Sequence, residues 1–260
     1  VARAPFAAAL PPVPTINVAG NDAANGTLTI DSRQSVIVTS AATNNVEYGD
    51  GNSYVLDGSI NTALDSASRI DVISREGQIN IDQDVALRRT VDGDAVSLNF
   101  DAARAFFGGV NDDGDPSPWS LVADRGAIDL NVNAQSSVLI NEAQIITNGG
   151  SINLTSVDSN SEALDIVTST LDTRVGQSDA NPSGDIVLSG QGAVAGTRIA
   201  GSDLLASSGE VRIDGRVNNL ATDDSPPGVA IGYDGASNTS RIHTTSGDIT
   251  ITGVGLNEGF

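Results

Sequence analysis

The chain has no cysteine and no methionine, one tryptophan, three tyrosines and one histidine in 260 residues. Without cysteine there is neither a disulfide framework nor a thiolate metal site. Lysine is absent too, and only six glutamates occur, so two of the residues that best support helices are scarce. No apolar run of about 18 residues is present, which excludes a transmembrane helix. The 13 basic residues, all Arg, face 33 acidic ones, 27 of them Asp, for a formal net charge of −20. Such a balance excludes the basic footprint that nucleic acid requires and disfavours an anionic membrane surface.

What is abundant is glycine, 28 residues, and it recurs in one pattern: a turn, then Gly-x-Φ-x-Φ, where Φ is apolar. The pattern opens at Gly26, Gly77, Gly126, Gly150, Gly184, Gly209 and Gly247, at intervals near 24 residues, about twice that, or lengthened by polar loops. Further short strands lie between the copies, at 35–40, 69–74, 95–100, 137–141 and 143–147, each alternating or β-branched. The best helical segment is 101–109, DAARAFFGG, read as one or two turns inserted in a loop.

A unit this short cannot bury its own apolar face, but stacked units share a continuous core. The expected fold is therefore all-β, a parallel β-helix or solenoid with loop insertions; a β-sandwich of antiparallel hairpins is the alternative. Inward pairs would be Ile79/Ile81, Ile128/Leu130, Ile152/Leu154, Ile186/Leu188, Val211/Ile213 and Ile249/Ile251. Glycine before each strand fits a corner that needs positive φ or a close backbone approach. About ten coils would give a rod on the order of 50 Å long. Residues 1–16 read as an extended Pro-rich arm that caps the first coil or inserts into a neighbour, and 17–260 as one β-helical domain with an insertion around 101–120. Beginning at Val1 and ending just after a repeat strand, the chain reads as a processed product, or a piece of a longer repeat protein, or a subunit whose last coil a partner covers.

SGDITITG at 246–253, SGDIVLSGQG at 183–192, LDTRVGQ at 171–177 and GGSINLTS at 149–156 resemble the repeats of filamentous-haemagglutinin-like proteins. Those are large bacterial surface adhesins, many exported by two-partner secretion. The resemblance is clearest over about 126–255, and it implies a right-handed parallel β-helix on the bacterial cell surface.

Chemistry is sparse. The one histidine, His243, alternates with Ile242 and is expected to point outward as an ordinary surface residue. Asp-rich glycine turns offer hard oxygen ligands for Ca2+. The first is Asn111, Asp113 and Asp115 around Gly114; the second is Asp50, Asn52 and Asp57. Neither has the distal bidentate Glu of an EF-hand, and a solvated acidic turn is the plain reading of each. The outward residues Asn80, Asp129, Asn153, Val187, Arg212 and Thr250 form a row too mixed for ice binding.

The function expected is that of a non-enzymatic extracellular adhesin or structural fibre segment. Its contacts, to a glycan or another cell-surface ligand, would come from loops 101–120, 157–183 and 217–240. A self-assembling filament or surface-layer subunit, joined end to end through its coils, is one alternative. A polysaccharide-acting enzyme on a β-helix is the other.

Overall fold

The computed structural model describes residues 26–40, 52–82, 84–110, 116–158, 162–218, 227–232 and 239–255. The first strands are β1 (Gly26–Ser32), β2 (Val36–Thr39) and β3 (Ser53–Leu56), followed by helix α1 (Asp57–Leu64). Next come β4 (Ala67–Ile81), β5 (Ala86–Arg89), β6 (Val96–Phe107), β7 (Gly109–Val110), β8 (Pro116–Ser117) and β9 (Trp119–Ala123). The middle holds β10 (Ile128–Ala134), β11 (Val138–Asn141), β12 (Ala143–Ile146), β13 (Ile152–Val157), β14 (Leu164–Val167) and β15 (Thr170–Asp172). The last are β16 (Ile186–Gly192), β17 (Thr197–Ala200), β18 (Asp203–Leu205), β19 (Val211–Val217), β20 (Val229–Ile231), β21 (Arg241–His243) and β22 (Ile249–Val254).

Strands pair in parallel, from β10 onward with the strand three places on, whereas near the start β2 pairs with its chain neighbour β3 and β4 with β6. A first ladder runs β1-β4-β6-β10-β13-β16-β19-β22. A second runs β3-β2-β4-β6-β11-β14-β17-β20, sharing the long strands β4 and β6, which turn the corner between the two. The third is β5-β9-β12-β15-β18-β21. Among the described strands only β7 and β8 pair antiparallel. The fold is thus all-β with parallel sheets, and the antiparallel sandwich is not what forms. Among the described residues the first ladder holds eight strands, a stack of about 34 Å at a spacing of about 4.8 Å, against about ten coils expected.

Alternation places one apolar set inside each ladder. In the first, Leu28, Ile70, Leu98, Leu130, Ile152, Ile186 and Val211 are in register and all buried. In the third, Leu87, Leu121, Ile145, Leu171 and Leu204 do the same. One aromatic ring from each ladder meets in this shared core. Phe100 and Phe107 lie 5.1 Å apart edge to face, and Phe107 and Trp119 lie 5.5 Å apart.

Two registers differ from expectation. Leu130, not Ile128, pairs with Ile152, a slip of two residues that keeps every side chain on its face. The copy at Gly77 belongs to the second ladder, where Ile79 pairs with Val36 and Ala105. Segment 101–107 is not helical but the end of β6. Its inward Ala102 and Ala105 are three apart because the strand turns the corner between them, and that imitates a helical period. The stretch 157–183 contains β14 and β15, and β20 lies within 217–240, so neither is purely loop. The Pro-rich arm 1–16 lies outside the described residues.

Of the glycines before the strands, Gly150, Gly184, Gly209 and Gly247 stack in a column. A Cβ at Gly184 would lie 2.4 Å from the Gly150 carbonyl, one at Gly209 2.0 Å from that of Gly184, and one at Gly247 2.0 Å from that of Gly209. Here close approach, not positive φ, demands glycine.

Helix α1 closes the open edge of the third ladder. Its Ile60, Ala63 and Leu64 are buried, at the i, i+3, i+4 spacing of one helical face. Its outer side chains imitate a strand: Asn61 Nδ2 donates to the Ala86 carbonyl at 2.9 Å, and Asn61 Oδ1 accepts the Arg88 N–H at 2.7 Å. Just beyond the helix, Asp65 Oδ1 accepts the Thr90 N–H at 2.7 Å. Covering an edge in this way removes a template for aggregation. Asn61→Ala is expected to cost about 1–2 kcal/mol, from two lost hydrogen bonds of about 1 kcal/mol each. Thermal melting and faster amide exchange at Arg88 would register it; unchanged exchange would contradict the edge-capping role.

Candidate functional site

The outer face of the first ladder carries a polar groove of about 400 Å3 over β4, β6, β10 and β13. Its floor is a line of amides. Asp71, Asn99, Asn131 and Asn153 occupy successive strands in register. Asn153 Nδ2 donates to Asn131 Oδ1 at 3.0 Å, Asn131 Nδ2 to Asn99 Oδ1 at 3.0 Å, and Asn99 Nδ2 to Asp71 Oδ1 at 2.8 Å. The chain of donors thus runs one way and ends on a carboxylate, where charge strengthens the last bond. Arg69 closes that end, its Nε 2.9 Å from both Asp71 oxygens. This hydrogen bond raises the guanidinium pKa further.

A second row lies one alternation along: Asp101, Asn133 and Thr155, again in register and all exposed. Its one internal hydrogen bond is long, Asn133 Nδ2 to Asp101 Oδ1 at 3.5 Å. The first row is therefore mutually satisfied and fixed, while the second presents polar groups to whatever fills the groove.

A charged cluster sits on the third ladder. Arg174 grips the buried Asp172 bidentately, Nε to Oδ1 at 3.0 Å and Nη2 to Oδ2 at 2.8 Å, and Nη1 reaches Asp179 Oδ1 at 2.7 Å. The Arg174 hydrogen bond holds Asp179 below the ordinary carboxylate value. His243 Nε2 lies 3.5 Å from Asp179 Oδ1 yet makes no hydrogen bond there. It faces outward, as alternation predicted, but beside this cluster rather than on bare surface.

Elsewhere, hydrogen bonding from Arg75 lowers the pKa of Asp31, whereas burial raises that of Asp82. The two act oppositely on stability. Asp31 and Asp179 contribute above the unfolded carboxylate value, about 3.9, and that contribution disappears as pH falls through their lower folded values. Asp82, raised in the fold, weakens it while ionised, and stability returns as pH drops through its raised value. Asp82→Asn is accordingly expected to raise the melting midpoint at pH 7, with the gain gone below pH 3. A gain that persists in acid would show that charge is not the cause.

Of the calcium candidates, Asn111, Asp113, Asp115 and Asp50 lie outside the described residues. Asn52 precedes β3, and Asp57 is the first residue of α1, its Oδ1 accepting the Gly58 N–H at 2.6 Å. Among the described residues no three acidic or histidine side chains converge as a metal site. The sequence reading missed the asparagine line, although a signal exists: Leu98-Asn99-Phe100, Leu130-Asn131-Val132 and Ile152-Asn153-Leu154 repeat Φ-Asn-Φ on three consecutive turns. Aligning Asp129 instead of Asn131 with Asn153 concealed it. Compared with known proteins, the chain matches no family model, no curated protein and no solved structure.

Proposed function

We propose that the protein is a non-enzymatic, right-handed parallel β-helix of the bacterial cell surface, of the filamentous-haemagglutinin-like kind, acting as an adhesin or structural fibre segment. The observation that carries this reading is the continuity of three parallel ladders around one core, which turns the polar outward residues of the first ladder to contacts. The motifs that resemble adhesin repeats support it by their placement. Ile152 in GGSINLTS, Ile186 in SGDIVLS and Ile249 in SGDITIT fall in one register column, linked through Val211. A charge of −20 keeps such a surface soluble by self-repulsion.

Beads coated with the purified chain are expected to bind polysaccharide-bearing surfaces better than beads carrying the heat-unfolded chain; equal retention would overturn the adhesin reading. Incubation with polysaccharides is expected to release no reducing ends. Release that disappears in His243→Ala would instead favour the enzyme. Calcium is proposed to stabilise the acidic turns, so EGTA should lower the melting midpoint, and an unchanged midpoint would remove the ion from the account.

A filament subunit is the second reading, favoured by one observation. Ile249 and Ile251 are 46% and 48% exposed, whereas Val211 and Ile213, their register partners, are fully buried. Filaments appearing in electron micrographs would support it, and particles that stay discrete at millimolar calcium would count against it.

A further inference from the structure

We propose that the groove over β4, β6, β10 and β13 binds a neutral, polyhydroxylated chain, an extended glycan laid along the stacking direction of the strands. The proposal rests on the reading of the protein as a surface scaffold and gives that scaffold a ligand class and a location.

Three features of the groove point to this occupant. The first is its mix of donors and acceptors. A sugar hydroxyl both donates and accepts, and the exposed row offers an acceptor carboxylate at Asp101, an amide with both functions at Asn133, and a hydroxyl at Thr155. A ligand of pure donors or pure acceptors would leave part of this row unmatched. The second is repetition. The row repeats once per strand, about every 4.8 Å, so its natural complement is a polymer whose own hydroxyls recur at a similar interval. The third is charge. Arg69 is neutralised by Asp71, and Asp101 leaves the groove with one negative charge in a protein of −20. Uronates, sulfated sugars and phosphate polymers are repelled by that field, while neutral hydroxyls are not.

Rigidity adds to the fit. Binding costs less when the receptor is already ordered, and the Asn153–Asn131–Asn99–Asp71–Arg69 chain fixes the groove floor before any ligand arrives. At the far end the line stops where Asn153 meets Val187 in register. Among the described residues no hydrogen bond reaches Asn153 Oδ1, which leaves an acceptor at the groove's exit. The site thus spans four strands, enough for several sugar units.

The test is titration of the intact chain with cellohexaose, mannohexaose and xylohexaose, and with hexagalacturonate as the acidic counterpart, followed by amide and side-chain NMR shifts. At least one neutral hexamer should bind saturably and shift the Asn131, Asn133 and Asn153 side-chain amides, with hexagalacturonate at least tenfold weaker. Asn133→Ala with Thr155→Ala, both exposed and outside the core, should weaken binding about tenfold, roughly 1.4 kcal/mol, without changing the melting midpoint. Asp101→Asn should narrow the gap between neutral and acidic hexamers. No binding by any neutral hexamer overturns the proposal, as does hexagalacturonate binding more tightly, or binding that the double variant leaves intact. Failure of the scaffold reading would appear differently, as reducing ends released from the same oligosaccharides.

Discussion

Gly215→Ala is expected to cost about 3 kcal/mol, at the upper end of what overpacking a filled interior costs, and to lower the melting midpoint by roughly 6–10 °C. Gly215 belongs to an inward row of small residues: Ser74, Ala102, Ala134, Ser156, Gly190, Gly215 and Gly253 in register. The row faces the corner where the second ladder begins. At Ala102 and Ala134 the corner accepts a methyl group, and both are buried. Farther along it narrows. A Cβ at Gly190 would lie 1.8 Å from the Gly196 carbonyl oxygen, and one at Gly215 1.9 Å from that of Gly228. The obstacle is backbone, which cannot swing aside like a side-chain end, so two ladders must move apart. Gly58→Ala is the control: nothing lies within 4 Å of that Cβ, the residue is in α1, and replacing helical glycine gains up to about 1 kcal/mol. If Gly215→Ala melts like the wild type, the close approach at this corner does not exist in solution.

That row also shows where sequence reading stops. Glycines that precede a strand were visible because they recur beside the same polar turn. Gly190 stands out only through the spacing of GQGAVAG at 190–196, which reads as a corner, while Gly215 follows the inward pair with nothing local to distinguish it from a loop glycine. The strands themselves were legible, since Ile152/Leu154 and Val211/Ile213 alternate with polar residues, Ile186/Leu188 flank Val187 between Asp185 and Ser189, and each pair is buried. Register was not legible, because a slip of two residues preserves alternation; only pairing energy across the whole ladder separates Ile128 from Leu130 as the partner of Ile152. Helix α1 escaped notice for a different reason. Its eight residues hold one apolar triad, Ile60, Ala63 and Leu64, and its stability comes from docking on β5 rather than from its own propensity. The groove was hidden by the same register slip. Its chemistry belongs to columns across turns, and Asn99, Asn131 and Asn153 become neighbours only once the ladders are stacked.

Arg174→Ala is expected to be at least as damaging as the glycine variant, about 3–5 kcal/mol, the usual cost of leaving a buried charge without its partner. Asp172 is 2% exposed and sits in an outward row between Ile146 and Leu205, which are also buried. Segment 174–183 returns beside this row, tied by a bridge between Arg174 and Ser183. Asp172 therefore stands between two buried hydrophobes, and Arg174 is what makes a carboxylate tolerable there. The guanidinium fork satisfies both oxygens and at the same time holds Asp179 through its third nitrogen. Truncating Arg174 strands the carboxylate, whereas Asp172→Leu with Arg174→Met restores an apolar row. The double variant should recover more than half of the loss, the remainder being the Arg174 N–H that Asp172 Oδ1 accepts at 2.9 Å. Thermal melts of Asp172→Leu, Arg174→Met and the double variant form a cycle, with Arg174→Ala measured beside it. A double variant no better than Arg174→Ala would mean that the arginine acts by anchoring the 174–183 segment through Asp179, and Asp179→Ala should then reproduce most of the single-variant loss. Recovery in the double, with Asp179→Ala nearly neutral, would place the stabilising role in the buried pair. Asp179 is about half exposed, and the little that surface ion pairs contribute makes this second outcome the expected one.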